Sequence, residues 1–131
     1  MIVVLDASAG IEIALTRENS KKYVDFLEKT SKIVTSELYR AETANVLWKY
    51  CRAGLLAKEQ ALMRLSFCDN LIDEYWTISL NSEEALGEAI RLNHSVYNLL
   101  YLTIARRTAA TLLTQDKMLK DLALQQGVDV F

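Results

Sequence analysis

The chain has 131 residues, 51% apolar and 24% charged, with four glycines and no proline. That length suits one domain with a sizeable buried core, while the composition excludes intrinsic disorder and collagen-like or polyproline modules. Lys plus Arg number 15 against 17 Asp plus Glu, a net charge of −2 that by itself argues against a broad basic nucleic-acid surface.

Met1–Leu5 is short and β-branched and predicts a buried strand. A helix is expected from Ser8 to about Arg17, with apolar residues at 11, 13, 14 and 15. A second, over Ser20–Lys29, has Ser20 as N-cap and places Tyr23, Val24, Phe26 and Leu27 at helical spacing. Lys32–Thr35 reads as a short strand, and Ser36 to about Arg52 as a long helix stopped by Gly54. Ala57–Ile72 follows as helix, and alternation over Trp76–Leu80 predicts a third strand. Ser82 opens an acidic first turn of a helix to about Leu92. Ser95–Arg107 is helical, Thr111–Thr114 a strand, Lys117–Gln126 a helix, and Val128–Phe131 a last strand after Gly127. Strands alternating with helices imply parallel βαβ units. The expected fold class is α/β: a three-layer α/β/α sandwich with a central parallel sheet of about five short strands, forming a single domain over residues 1–131.

The longest mostly apolar stretch, Val96–Ala105, falls short of the ~18 residues needed to span a bilayer. Ile2–Leu5 ends at Asp6 with no basic stretch before it, unlike a signal peptide. Cys51 and Cys68 fit no metal or redox spacing and read as reduced packing residues of a cytoplasmic protein.

In open parallel sheets, ligands bind beyond the carboxyl ends of the strands. Asp6 directly follows the first expected strand, and Asp116 follows Thr111–Thr114 by two residues. Each reads equally as the N-cap of the next helix. Glu42 shares a helical stripe with Leu38 and Val46, where a carboxylate is costly unless paired, protonated or bound to a cation. The alternative is a Glu at the stripe's edge, reaching water or pairing with Arg40 or Lys49. Asn98 aligns with Leu102 and Ala105, and a buried amide there needs partners for both its oxygen and its NH₂; bridging backbone groups would supply them. Together these four positions outline an oxygen-rich pocket suited to Mg²⁺ or Mn²⁺. The matching chemistry is phosphodiester hydrolysis. No Gly-rich phosphate loop or dinucleotide fingerprint competes with it, and a phosphoacceptor receiver would carry an acidic pair where Asp6 is followed by Ala7.

Four blocks in order, Val-Leu-Asp6-Ala-Ser8-Ala, Glu42-Thr-Ala-Asn45-Val-Leu, Ser95-Val-Tyr-Asn98-Leu-Leu-Tyr-Leu and Leu113-Thr114-Gln-Asp116, resemble the PIN domain family, nearest to its VapC-type toxins. The resemblance implies a Mg²⁺- or Mn²⁺-dependent endoribonuclease acting on RNA, a homodimer, and neutralisation by a small antitoxin. It assigns Asp6, Glu42 and Asp116 to the acidic metal site and catalysis, and Ser8 and Thr114 to hydroxyls lining that pocket. Asn98 departs from the pattern, because the family usually has Asp there. The change removes one negative charge and leaves one oxygen able to coordinate. The alternative it raises is a catalytically impaired PIN-like module that binds RNA or a protein.

Among the cations near these segments (Arg17, Arg40, Lys49, Arg106, Arg107, Lys117 and Lys120), Lys117 and Arg40 are the preferred substrate contacts. Each also reads as an ordinary solvated charge. Tyr39, Tyr97 and Tyr101 divide between base stacking and core packing. Tyr23, Tyr39, Trp48 and Tyr50 look exposed on their helices, and aromatic residues are enriched at interfaces; the family resemblance implies antitoxin or dimer contacts there, with core packing explaining some of them. His94 is the only histidine, which excludes catalysis by a histidine pair.

Overall fold

A computed structural model describes residues 1–131. Four parallel strands form one sheet: β1 (Ile2–Leu5), β2 (Lys32–Ser36), β3 (Glu74–Trp76) and β4 (Thr111–Leu113), in the order β3-β2-β1-β4. Val3, Val4 and Leu5 of central β1 are fully buried, as a β-branched run covered on both faces requires. The expected fifth strand, Val128–Phe131, is reduced to a single parallel bridge between Leu112 and Val130.

Seven helices connect and flank the sheet: α1 (Ala7–Ala14), α2 (Ser20–Leu27), α3 (Leu38–Arg52), α4 (Lys58–Asn70), α5 (Ser82–Leu92), α6 (Val96–Thr108) and α7 (Lys117–Gln125). Helix α1 packs against α2, α3 and α4, whereas α6 packs on β1, β2 and β4, with α5 and α7 beside it. Residues Leu99–Ala105 of α6 are buried all round, the pattern of a helix at the centre of the packing. Helix α3 ends where expected: Gly54 takes φ 76°, and Leu55 N–H reaches back to the Tyr50 carbonyl at 2.9 Å. No helix is long and apolar enough to cross a membrane. Both cysteines are free.

Three local expectations give way. Ser20 lies inside α2 with its Oγ 3.4 Å from the Ile13 carbonyl, and Asn19 occupies the cap position. Ser36 ends β2 rather than opening α3, its Oγ accepting from Leu38 N–H at 3.1 Å. The third strand stops at Trp76, and Ile78–Leu80 forms a 3₁₀ turn. Strand β3 pairs with β2 only as far as Ser36, so residues beyond Trp76 have no neighbouring ladder to continue.

The register of the sheet sets out the site. Leu5 lies opposite Leu113, so the residues after them, Asp6 and Thr114, emerge side by side at the carboxyl edge. The backbone continues this pairing, with Asp6 N–H 3.2 Å from the Leu113 carbonyl.

Candidate active site

Asp6 ends β1 with extended backbone, and its carboxylate turns back over the first turn of α1. Oδ1 accepts from Ser8 Oγ at 2.7 Å and from Ala9 N–H at 3.0 Å, while the Thr114 hydroxyl donates to Oδ2. Ser8 and Thr114 lie 3.3 Å apart, and Gln115 N–H donates to Ser8 Oγ at 2.9 Å. The Asp116 side chain caps α7, accepting from Leu119 N–H at 3.1 Å, and its own N–H donates to Thr114 Oγ1 at 3.0 Å. The N-cap reading of both aspartates holds, and the caps lie at the carboxyl edge of the sheet. Each is an N-cap, and capping is what fixes each carboxyl group at the sheet edge.

Glu42 reaches the cluster from α3. The fully inward stripe of that helix is Tyr39, Thr43 and Leu47, one position round from the expected Leu38–Glu42–Val46 line, so Glu42 is half-buried at the stripe's edge. Its partner is neither Arg40 nor Lys49 but Tyr101, whose phenol donates to Oε1 at 2.6 Å. Tyr101 is 2% exposed, and burial together with the Glu42 charge pushes its phenol well above the usual range, keeping the donor protonated. Asn98 lies one turn before Tyr101 on α6 and is half-buried. Its backbone N–H bonds to Ser95 Oγ at 3.4 Å, and its side-chain amide has no hydrogen-bond partner in the protein.

Electrostatics single out Asp6. Burial pushes its carboxyl up to about 6; the donors Thr114, Ser8 and Ala9 oppose the shift, and the Glu42 charge adds to it. None of the ion pairs in the protein involves Asp6, Glu42 or Asp116. A buried carboxylate whose charged neighbour is another carboxylate is stable when protonated or when a cation lies between them. The donors offered are all hard oxygens, the set that suits Mg²⁺ or Mn²⁺. No three His, Cys, Asp or Glu side chains gather tightly enough to hold an ion by themselves. The expected carboxylates Asp6, Glu42 and Asp116 are thus not gathered as one direct ligand set; Mg²⁺ typically takes one or two carboxylates and completes its shell with water and substrate phosphate.

The other sequence candidates are dispersed. Lys117 is exposed at the first position of α7, directly after Asp116. Arg40 is held elsewhere, 2.9 Å from Glu37 and 3.4 Å from Asp69, with its guanidinium over the Tyr75 ring. Arg106 and Arg107 are tied to Glu84 of α5, and Arg106 also to Glu88. Tyr23 and Tyr39 are buried rather than exposed, and Trp48 is the one of the four interface aromatics that stands clearly open, at 52%. It lines an apolar groove of about 460 Å³ between α3 and α4, with Leu47, Leu62 and Leu65. Tyr101, expected to stack a base or pack in the core, instead donates to Glu42, and Gln115 is the neighbour of the cluster that sequence reasoning missed. The signal available for Tyr101 was its place one helical turn after Asn98, facing a Glu that needed a donor.

The PIN domain family model matches residues 3–124. Ribonuclease VapC3 of Pyrobaculum aerophilum is 28% identical over 130 residues, covering 92% of this chain and 94% of its own. The crystal structure of PAE2754 from the same organism superposes with a TM-score of 0.74 at 22% identity, covering 97% of this chain and 98% of that one. VapBC2 from Rickettsia felis, solved bound to a DNA fragment from its promoter, gives 0.70 at 18% identity, covering 100% and 98%. With a family match that spans nearly all its length and the four motif blocks in order, the chain belongs to the PIN domain family.

Proposed function

We propose that this protein is a Mg²⁺- or Mn²⁺-dependent endoribonuclease, a single cytoplasmic domain acting as the toxin of a type II toxin–antitoxin pair. The observation that carries the reading is Asp6, a buried carboxylate at the sheet edge, held by three donors, near enough to Glu42 to feel its charge and paired with no basic side chain. Asp6 and Glu42 would hold the ion, with Asp116 and the Asn98 oxygen as further oxygen donors. Bound there, the ion would supply Lewis-acid stabilisation of charge on the scissile phosphate and a more acidic attacking water. Ser8 and Thr114 hold Asp6 in place, Tyr101 fixes the orientation of Glu42, and exposed Lys117 offers a phosphate contact beside Asp116. Likeness to a protein named a ribonuclease supports RNA as substrate. Likeness to a VapBC structure supports an antitoxin partner, and the family resemblance supports a homodimer. The test is cleavage of RNA in Mg²⁺ or Mn²⁺ by the native chain beside Asp6→Ala.

One observation favours a second reading. The Asn98 amide bonds to nothing in the site and brings no charge, which supports a weakened metal centre on a chain that binds RNA or a protein partner. Native inactivity rescued by Asn98→Asp would select it.

A further inference from the structure

Helix α5 has an outward face that nothing in the chain covers. Its inner face is spent on α6: Ala85 and Ala89 are buried, and Glu84 and Glu88 between them hold Arg106 and Arg107. Glu83, Leu86, Gly87 and Ile90 lie on the opposite side and are exposed. Ile90, at 74%, is the most exposed large apolar side chain of the protein, and Leu86 one turn before it stands at 52%. Spacings of three and four place these residues on one face.

Gly87, in the middle of that face, has no reason within the chain. Of the four glycines, Gly54 and Gly127 take φ 76°, and Gly10 lies where a Cβ would strike the Tyr39 ring. Gly87 has ordinary helical backbone, and a Cβ there would meet nothing within 4 Å. Alanine would therefore fit, and it would favour the helix. What glycine provides on an outward helix face is room for a second backbone to approach closely.

The charges on the face identify what approaches. Glu83 is in no ion pair, and Arg91, held by Glu88 and Gln126, keeps its Nη1 without a partner. The two residues lie equally far before and after Gly87. A two-fold axis at Gly87 sets two copies of α5 antiparallel, so that each residue faces the one equally far beyond the glycine in the other copy. Glu83 then meets Arg91 of the second copy, twice per dimer. Leu86 and Ile90, together on one flank of the helix, gather with their counterparts. We infer that α5 is the interface for a second copy of this chain, an antiparallel helix pair crossing at Gly87. The inference rests on the homodimer reading above and names the surface that makes the dimer.

Sedimentation equilibrium over a concentration series tests it on the native chain and on Gly87→Ala, Ile90→Glu and Leu62→Glu. The native chain is expected to be dimeric. Gly87→Ala should weaken the dimer roughly tenfold or more, because added methyl groups meet at the crossing. In dilute, monomeric protein the same change should raise the urea midpoint. A glycine serving only the fold of one chain would not give those opposite signs. Ile90→Glu should be monomeric where the native chain is dimeric, with the urea midpoint of the dilute native chain, since its charge is buried only in the dimer. Leu62→Glu, in the α3–α4 groove, should leave the dimer intact. A native dimer that Gly87→Ala or Ile90→Glu leaves intact, or that Leu62→Glu breaks, overturns the α5 interface while the homodimer reading stands. A native chain that is monomeric throughout overturns both.

Discussion

Asp6 carries two duties that pull its proton in opposite directions. As a cap it accepts from Ala9 N–H, Ser8 and Thr114, which favours the anion, but its burial disfavours the anion more, and the carboxyl rises to about 6. In the unfolded chain it titrates near 3.8. Between those values the folded chain holds more protons than the unfolded one, so this group's contribution to stability falls as pH rises through the window. The full loss is about 3 kcal/mol. Urea unfolding of native and Asp6→Asn chains across that range should show the native chain losing stability relative to the variant. A pH-independent difference would contradict the account. Because a cation relieves the same penalty, Mg²⁺ should raise the melting temperature of the native chain above pH 6, with little effect near pH 4, and should leave Asp6→Asn unmoved. Tyr101→Phe strips Glu42 of its donor and should cost about 1–3 kcal/mol in urea unfolding while weakening Mg²⁺ binding in calorimetry. Asn98→Asp should do the reverse for the ion, raising its affinity roughly tenfold through the added ligand charge.

How far these elements were legible follows from what each one depends on. Strand β1, the Gly54 stop and the capped starts of α6 and α7 depend on local pattern and local hydrogen bonds, and they stand where periodicity places them. Strand β3 and the start of α3 depend on where β2 ends, and a single strand's alternation carries no record of its neighbour's length. The site divides in the same way. Asp6 and Asp116 were visible because each lies within three residues of a strand's carboxyl end and opens a helix. The Glu42 partner was not, because the core stripe of α3 is turned by one residue and the donor comes from α6, 59 residues on. Gly10 illustrates a contact of the same hidden kind. Alanine at a helix interior normally gains about 1 kcal/mol over glycine. A Cβ here, however, would stand 2.5 Å from the Tyr39 hydroxyl oxygen and 2.8 Å from its ring, and that phenol is fully buried with its hydroxyl donating to the Cys68 carbonyl at 2.8 Å. Overpacking should outweigh propensity, so Gly10→Ala is expected to destabilise by about 1–3 kcal/mol in urea unfolding. Neutral or raised stability would show that α1 and α3 can separate at no cost.

Over the molecule, the net charge of −2 conceals that charge is sorted by place. Arg91, Arg106 and Arg107 are engaged by Glu84 and Glu88 in an α5–α6 network, while Asp6 and Glu42 at the sheet edge pair with no basic side chain. The parallel sheet delivers Asp6, Thr114 and Asp116 to one edge, and α3 and α6 bring Glu42 and Tyr101 to the same place. Apolar surface is sorted as well. Leu86 and Ile90 stand open on α5, and Trp48 and Leu62 on the α3–α4 groove, which is ample surface for protein contacts. Sedimentation of the native chain is expected to give twice the chain mass, in line with the proposed homodimer. All of this turns on whether the paired carboxylates at the sheet edge exist to hold an ion for phosphodiester cleavage. The most direct test compares RNA cleavage by the native chain and Asp6→Ala in Mn²⁺ and in EDTA. Cleavage is expected from the native chain in Mn²⁺ only, falling by about two orders of magnitude or more in Asp6→Ala. Cleavage that persists in EDTA, or that Asp6→Ala leaves intact, would contradict it.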